Sequence, residues 1–150
     1  MIDDCRQREE GTADMSEKLS VMVVEDETII RTSFVMALED LGYNVVGEAS
    51  NGERALQLLE SVKPDIILLD INLPKINGLK VLELIHDQYG IPCIIITGYY
   101  SEDFLERAKK AGAFSYLLKP IDPFQLQAAL EVVQERAKEY RTSVEEQERL

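Results

Sequence analysis

The 150-residue sequence has no tryptophan, one histidine (His86), two cysteines and a shortage of positive charge. Each shortage excludes something. One imidazole and two thiols, Cys5 and Cys93, lying far apart in the chain, cannot assemble a structural zinc site, which draws on clustered Cys and His. The same two thiols make no disulfide framework of the kind that staples small secreted domains, so both are expected to be reduced, as in cytoplasmic proteins. No apolar run approaches the roughly 18 residues that cross a bilayer. The opening Met1-Ile2-Asp3-Asp4-Cys5 lacks the charged-then-apolar layout of a secretory signal. With 16 Lys+Arg against 28 Asp+Glu, a net charge of −12, the chain is a poor match for nucleic-acid phosphates or an anionic membrane surface. Its eight glycines are scattered and form neither a dinucleotide fingerprint nor a P-loop.

What is present is enough for one domain with a proper core. The length suits a single unit, and 45% of the residues are hydrophobic, well above the range of disordered chains. Residues 1–18 are polar and aperiodic and are expected to form a flexible leader, with Met15 an alternative start. From Leu19 two textures alternate. Short apolar runs occupy Leu19–Val24, Asn44–Ala49, Asp65–Leu69, Pro92–Ile96 and Phe114–Leu118. Between them lie stripes at spacings of three and four: Ile30, Phe34, Ala37 and Leu41 before Gly42; Ala55, Leu59 and Val62; Leu82, Ile85 and Tyr89; Phe104, Ala108 and Ala111 before Gly112. Such stripes with a trailing glycine mark amphipathic helices and their C-caps. Strands alternating with helices imply a parallel sheet, and the unbroken runs at 66–69 and 94–96 fit strands covered on both faces. The expected fold class is α/β, a doubly wound parallel sheet.

Ligands of such sheets bind beyond the carboxyl ends of the strands. The residues delivered there are Glu25-Asp26-Glu27 after the first run, Asp70 after the third, Thr97 after the fourth and Lys119-Pro120 after the fifth. Ser50-Asn51, after the second, reads as a helix N-cap. Carboxylates crowded at one edge repel each other unless a cation intervenes. Oxygen ligands without His or Cys suit Mg²⁺. Together with a hydroxyl and an ammonium, this donor set suits a phosphoryl group, and one carboxylate can serve as its nucleophile. Taken singly, each residue has a plainer reading as a cap, a turn or a strand end. The combination is what carries the inference.

The segments Val-Met-Val-Val-Glu-Asp-Glu (21–27), Ile-Ile-Leu-Leu-Asp-Ile-Asn-Leu-Pro-Lys-Ile-Asn-Gly (66–78), Ile-Ile-Ile-Thr-Gly (94–98) and Tyr-Leu-Leu-Lys-Pro (116–120) resemble the receiver domain of two-component response regulators over roughly residues 19 to 130. The resemblance implies a flavodoxin-like (βα)5 fold with strand order 2-1-3-4-5; the receiver is read at 19–134, and the remainder, 135–150, as a helical extension of the last helix beyond what a receiver needs. It implies a phosphorylation-driven switch, supplied by a histidine kinase or histidine phosphotransfer protein. Asp70 matches the phosphoacceptor and Asp26 a direct Mg²⁺ ligand. Glu25, where Asp is also common, would act through metal-bound water, and Asn72 would offer its backbone carbonyl. Thr97 and Lys119 match the residues that hold phosphoryl oxygens, Tyr116 matches the aromatic switch, and Lys119-Pro120 is a candidate cis peptide. Phosphorylation adds about −1.5 to −2 charge; Lys119 and Mg²⁺ offset it, Thr97 moves in, and Tyr116 fills the space, repacking the face at 99–130.

The family analogy places Asn72 and Tyr99 beside the path of attacking water. The last helix, opened by Pro123-Phe124, carries Leu126, Leu130, Val133, Ala137, Tyr140 and Val144 at alternating steps of four and three, a heptad seam broken at Gln147. Its end is read either as a dimeric coiled coil or linker to an output domain, or as a frayed tail; this helix and the 99–130 face are the candidate surfaces for a homodimer. Two other functions compete. A Mg²⁺-dependent aspartyl-phosphate phosphatase of the haloacid-dehalogenase type would carry an acid where Asn72 stands. A phosphate-independent pseudo-receiver has no need of the full set Glu25, Asp26, Asp70, Thr97 and Lys119. His86-Asp87 is read as surface. A bulky Tyr99 is expected to give a persistent phosphoryl group, so Tyr99→Ala should dephosphorylate faster in a phosphate-release assay; a much faster wild type would contradict it.

Overall fold

The computed structural model describes residues 19–72, 77–98 and 101–149, with side chains described through Arg136. The leader with Cys5 and Met15, the segment 73–76, Tyr99, and the side chains of Ala137, Tyr140, Val144 and Gln147 lie outside the described residues. Five strands, β1 (Ser20–Val24), β2 (Asn44–Ala49), β3 (Ile66–Asp70), β4 (Cys93–Thr97) and β5 (Ala113–Leu118), alternate with α1 (Thr28–Asp40), α2 (Gly52–Leu58), α3 (Gly78–Tyr89), α4 (Glu102–Ala111) and α5 (Pro123–Arg149). All strand pairs are parallel, in the order β2-β1-β3-β4-β5, which is the expected flavodoxin-like topology.

Alternation along the strands sorts side chains into two cores. Val21, Val23, Ile66, Leu68, Ile94 and Ile96 meet Phe34 and Leu38 of α1 and Leu126, Leu130 and Val133 of α5 on one face. Met22, Val24, Ile67, Leu69, Cys93 and Ile95 meet Ala55 of α2, Val81, Leu82 and Ile85 of α3 and Ala111 of α4 on the other. Strands β3 and β4 are buried along their whole length, which is why they read as unbroken apolar runs. Burial pushes the Cys93 thiol up to about 12, so this free cysteine stays protonated and inert.

The helices start and stop where local chemistry supplies partners. Asn51 Oδ1 accepts from Arg54 N at 2.8 Å, and Ser101 Oγ from Phe104 N at 3.0 Å, each satisfying an orphan N–H of the first turn. Gly42 (φ 93°) and Gly112 (φ 110°) adopt the left-handed conformation that ends α1 and α4. The stripe on α1 misses one core residue, Leu38, which is fully buried beside Phe34, and Val62 falls past the end of the short α2. Helix α5 runs from Pro123 through Arg149 as one helix. Its first half docks on the sheet through Leu126, Ala129, Leu130 and Val133.

One close approach shapes the future site. A Cβ at Gly78 would sit 2.2 Å from the carbonyl oxygen of Ile71, so α3 starts directly against the chain leaving β3. Because the obstacle is backbone, Gly78→Ala is expected to lower stability by about 1–3 kcal/mol in urea unfolding; a wild-type midpoint would contradict this close packing.

Candidate functional site

The carboxyl ends of β1, β3, β4 and β5 bring together Glu25, Asp26, Asp70, Thr97 and Lys119. Strands β3 and β4 each extend one residue beyond their apolar runs, so Asp70 and Thr97 are the last residues of their strands and take their direction from the sheet itself. Glu25, Asp70 and Thr97 are the buried polar residues of the described core. Asp26 is exposed at the mouth of the site. One carboxylate oxygen from each of Glu25, Asp26 and Asp70 lies within 4.8 Å of the others.

Lys119 holds this cluster together. Its Nζ lies 3.0 Å from Asp70 Oδ2 and 3.1 Å from Glu25 Oε1, and its backbone N–H donates to Thr97 O at 2.8 Å. Asp70 Oδ1 accepts from Asn72 N at 3.0 Å, so both oxygens of Asp70 are engaged. Glu25 is pinned on several sides: its N–H donates to Ala49 O at 3.0 Å, Oε2 accepts from Glu27 N at 3.1 Å, and its carbonyl accepts from Arg31 Nη1 at 2.7 Å. The peptide bond between Lys119 and Pro120 is cis, as the resemblance implied.

The electrostatics follow from burial. Desolvation raises the Glu25 carboxyl to about 7, with Asp70 adding to the rise and the Glu27 amide and Lys119 opposing it. Burial pulls the Lys119 ammonium down, but Asp70 and Glu25 outweigh it and the net shift is upward. Glu25 Oε1, although 3.1 Å from Lys119 Nζ, is buried and accepts no properly directed hydrogen bond. A buried carboxylate oxygen without a hydrogen bond, two acids beside it, no imidazole or thiol, and one open side at Asp26 fit a hard cation such as Mg²⁺.

Tyr116 is half-buried on β5, its ring centroid 6.1 Å from that of Phe104 on α4 at an interplanar angle of 52°. Tyr116 pairs in register with Ile95, and the two-residue period of β4 puts Thr97 on the same face as Ile95. The hydroxyl and the aromatic ring therefore share one side of the sheet. His86 is exposed, away from the acid cluster. The residues that sequence reasoning missed are Arg31 and Glu48. Arg31 Nε reaches Glu48 Oε1 at 3.3 Å while its Nη1 holds the Glu25 carbonyl. The available signal was a single arginine in the first turn of α1, six positions after Glu25.

Comparison with known proteins identifies the family of this fold. The profile described as the Response regulator receiver domain matches residues 21–131. The "Transcriptional regulatory protein PdtaR" of Mycobacterium tuberculosis is 35% identical over 127 residues, covering 85% of this chain and 62% of the relative. The "Nitrate/nitrite response regulator protein NarL" of Escherichia coli is 37% identical over 119 residues, covering 76% and 54%. The crystal structure of a CheY-like response regulator receiver domain from Methanospirillum hungatei aligns with a TM-score of 0.76 at 28% identity, covering 82% of this chain and 98% of that one. The chain belongs to the response regulator receiver domain family. It spans less than two thirds of the length of the curated relatives it matches. Receiver domains act as signalling switches, bind Mg²⁺ and interact with histidine kinases. Among the described residues, no helix is long and apolar enough to cross a membrane.

The pKa of Glu25 makes a prediction for the metal-free protein. A folded-state pKa raised from 4.5 to about 7 means the folded state holds this proton more tightly than the unfolded chain. The resulting stability is fully present below about pH 4.5 and is lost as pH rises through about 7. Glu25→Gln should therefore raise the unfolding free energy in EDTA at pH 8 by on the order of 2 kcal/mol, with the gap closing toward pH 4.5. A pH-independent gap in thermal or urea unfolding would contradict the assignment.

Proposed function

We propose that this chain is a phosphorylation-operated switch in which Asp70 accepts a phosphoryl group from a phosphohistidine partner. The observation that carries the reading is Asp70 itself. It is a buried carboxylate at the end of β3, held by the Lys119 ammonium and the Asn72 amide and flanked by Glu25 and Asp26. In this reading a carboxylate oxygen of Asp70 attacks phosphorus, the O–P bond forms as the N–P bond breaks, and the leaving imidazole keeps the electron pair and takes up a proton. Asp26, Asp70, the Asn72 backbone carbonyl and, through water, Glu25 would hold Mg²⁺. The ion's contribution would be to offset the charge of the phosphoryl oxygens. Lys119 supplies the positive charge already in place at Asp70, and Thr97 is the hydroxyl available to donate to a phosphoryl oxygen.

The added charge of about −1.5 to −2 favours whichever arrangement brings Thr97 and Lys119 onto the new oxygens. Tyr116, sharing a face with Thr97, is the proposed reporter of that shift to the 99–130 face. Asn72 and Tyr99 are proposed to set how long the phosphoryl group survives attack by water. The receiver is assigned to 19–134 and the continuation of α5 at 135–150 to a linker or a homodimer contact, with the 99–130 face as the other proposed dimer surface. A cytoplasmic setting fits the buried, free Cys93. Similarity to PdtaR, a transcriptional regulatory protein, points to transcriptional regulation as the process such a switch would feed. No nucleic-acid contact is assigned to the receiver itself, whose acids outnumber its bases.

With a small phosphodonor such as acetyl phosphate and Mg²⁺, the wild-type chain is expected to gain the mass of one phosphoryl group, and Asp70→Asn to gain none. Wild-type labelling of Asp70→Asn in intact-mass spectrometry would refute the assignment.

A further inference from the structure

We propose that Arg31 is a positioning residue for the acid site, fixing the direction in which Glu25 and Asp26 leave β1. This rests on the reading of Glu25 and Asp26 as the acids that face the metal. The residue stands outside the acid cluster, and its ion pair is with Glu48 rather than with a carboxylate of the cluster. It acts on backbone instead. Arg31 Nη1 donates to the carbonyl oxygen of Glu25 at 2.7 Å, the atom that begins the peptide unit joining Glu25 to Asp26. The N–H of Glu25 is held from the other side by Ala49 O at 3.0 Å. Both backbone polar groups of Glu25 are thereby fixed, and a rotation of the Glu25–Asp26 peptide would break the hydrogen bond to Arg31.

Arg31 is itself held at both its backbone and its side chain. The Arg31 backbone N–H donates to Glu27 O at 2.8 Å, placing the residue in the first turn of α1. Its Nε lies 3.3 Å from Glu48 Oε1, and Glu48 precedes Ala49 on β2. The side chain thus ties α1, the exit of β1 and the end of β2 into one closed triangle. It is mostly sheltered, with 16% side-chain exposure against 48% for Glu48. That shelter makes the hydrogen bond to the carbonyl stronger than a solvent-exposed contact would be. Only a planar fork can serve the carbonyl and Glu48 together; a lysine ammonium at the end of a flexible stem holds neither in fixed geometry.

Groups that orient ligands from behind typically carry about 10- to 100-fold in metal affinity. The test is calorimetric titration of the full chain with MgCl2, paired with thermal unfolding in EDTA. The variants are Arg31→Ala, Arg31→Lys and Glu48→Gln, with Leu38→Ala as a core-destabilised control. Arg31→Ala is expected to bind Mg²⁺ about tenfold more weakly, Arg31→Lys to fall between it and wild type, and Glu48→Gln to lose less in the same direction. Leu38→Ala is expected to unfold at lower temperature with unchanged Mg²⁺ affinity. If Arg31→Ala fails to fold, Arg31→Lys and Glu48→Gln carry the comparison. Wild-type affinity in the folded Arg31 variants, or a loss no larger than that of Leu38→Ala, overturns the role of Arg31 while leaving the metal reading intact. Absence of saturable binding by the wild type overturns the metal reading and this inference with it.

Discussion

The ammonium of Lys119, 3.0 Å from Asp70 and 3.1 Å from Glu25, is the contact on which the rest of the site depends. A parallel sheet of five strands must end its strands at one edge, and here two of them end in buried carboxylates. Without a cation between them, these two groups would repel each other where little water can screen the repulsion. Lys119 reaches them because β5 lies two strands from β3 in the order β2-β1-β3-β4-β5 and because its own amide is anchored on Thr97. The strand order and the ion pair are therefore one constraint seen at two scales.

That arrangement is compensated only in part. The Lys119 ammonium pairs with two carboxylates of a cluster of three, a buried oxygen of Glu25 lacks a directed hydrogen bond, and burial lifts the Glu25 carboxyl to about 7. The two cores on either face carry the stability that makes such a site tolerable, since β3 and β4 are buried from end to end. Under the proposed function, the residual negative charge is what recruits a divalent cation. The same imbalance makes an added phosphoryl group consequential: it changes the charge count at a place where Thr97 and Tyr116 share a face of the sheet.

Most of the fold was legible because buried parallel strands and amphipathic helices write distinct periods into sequence. The runs at 66–69 and 94–96 gave β3 and β4 to within one residue, and the residue left out at each carboxyl end was the functional one, Asp70 or Thr97. Polar side chains there break the apolar texture that defines a run, so pattern alone stops just short of the site. Leu38 escaped the α1 stripe because a second residue four positions after Phe34 competes with the spacing through Ala37. Arg31 and Glu48 were illegible for a different reason. Their contact joins a helix to a neighbouring strand and a backbone carbonyl, and neither periodicity nor a residue-type pattern records a bond that leaves its own segment. Asn51 was readable as a cap because its partner lies three residues away in the same segment.

The central claim is that the cluster around Asp70 is a phosphoryl site completed by a divalent cation, and fluorine NMR of the wild-type chain with beryllofluoride tests it most directly. The account predicts protein-bound fluorine resonances that require Mg²⁺ and vanish in Asp70→Ala. Bound resonances that persist without Mg²⁺ or in Asp70→Ala, or none with Mg²⁺ present, would contradict it.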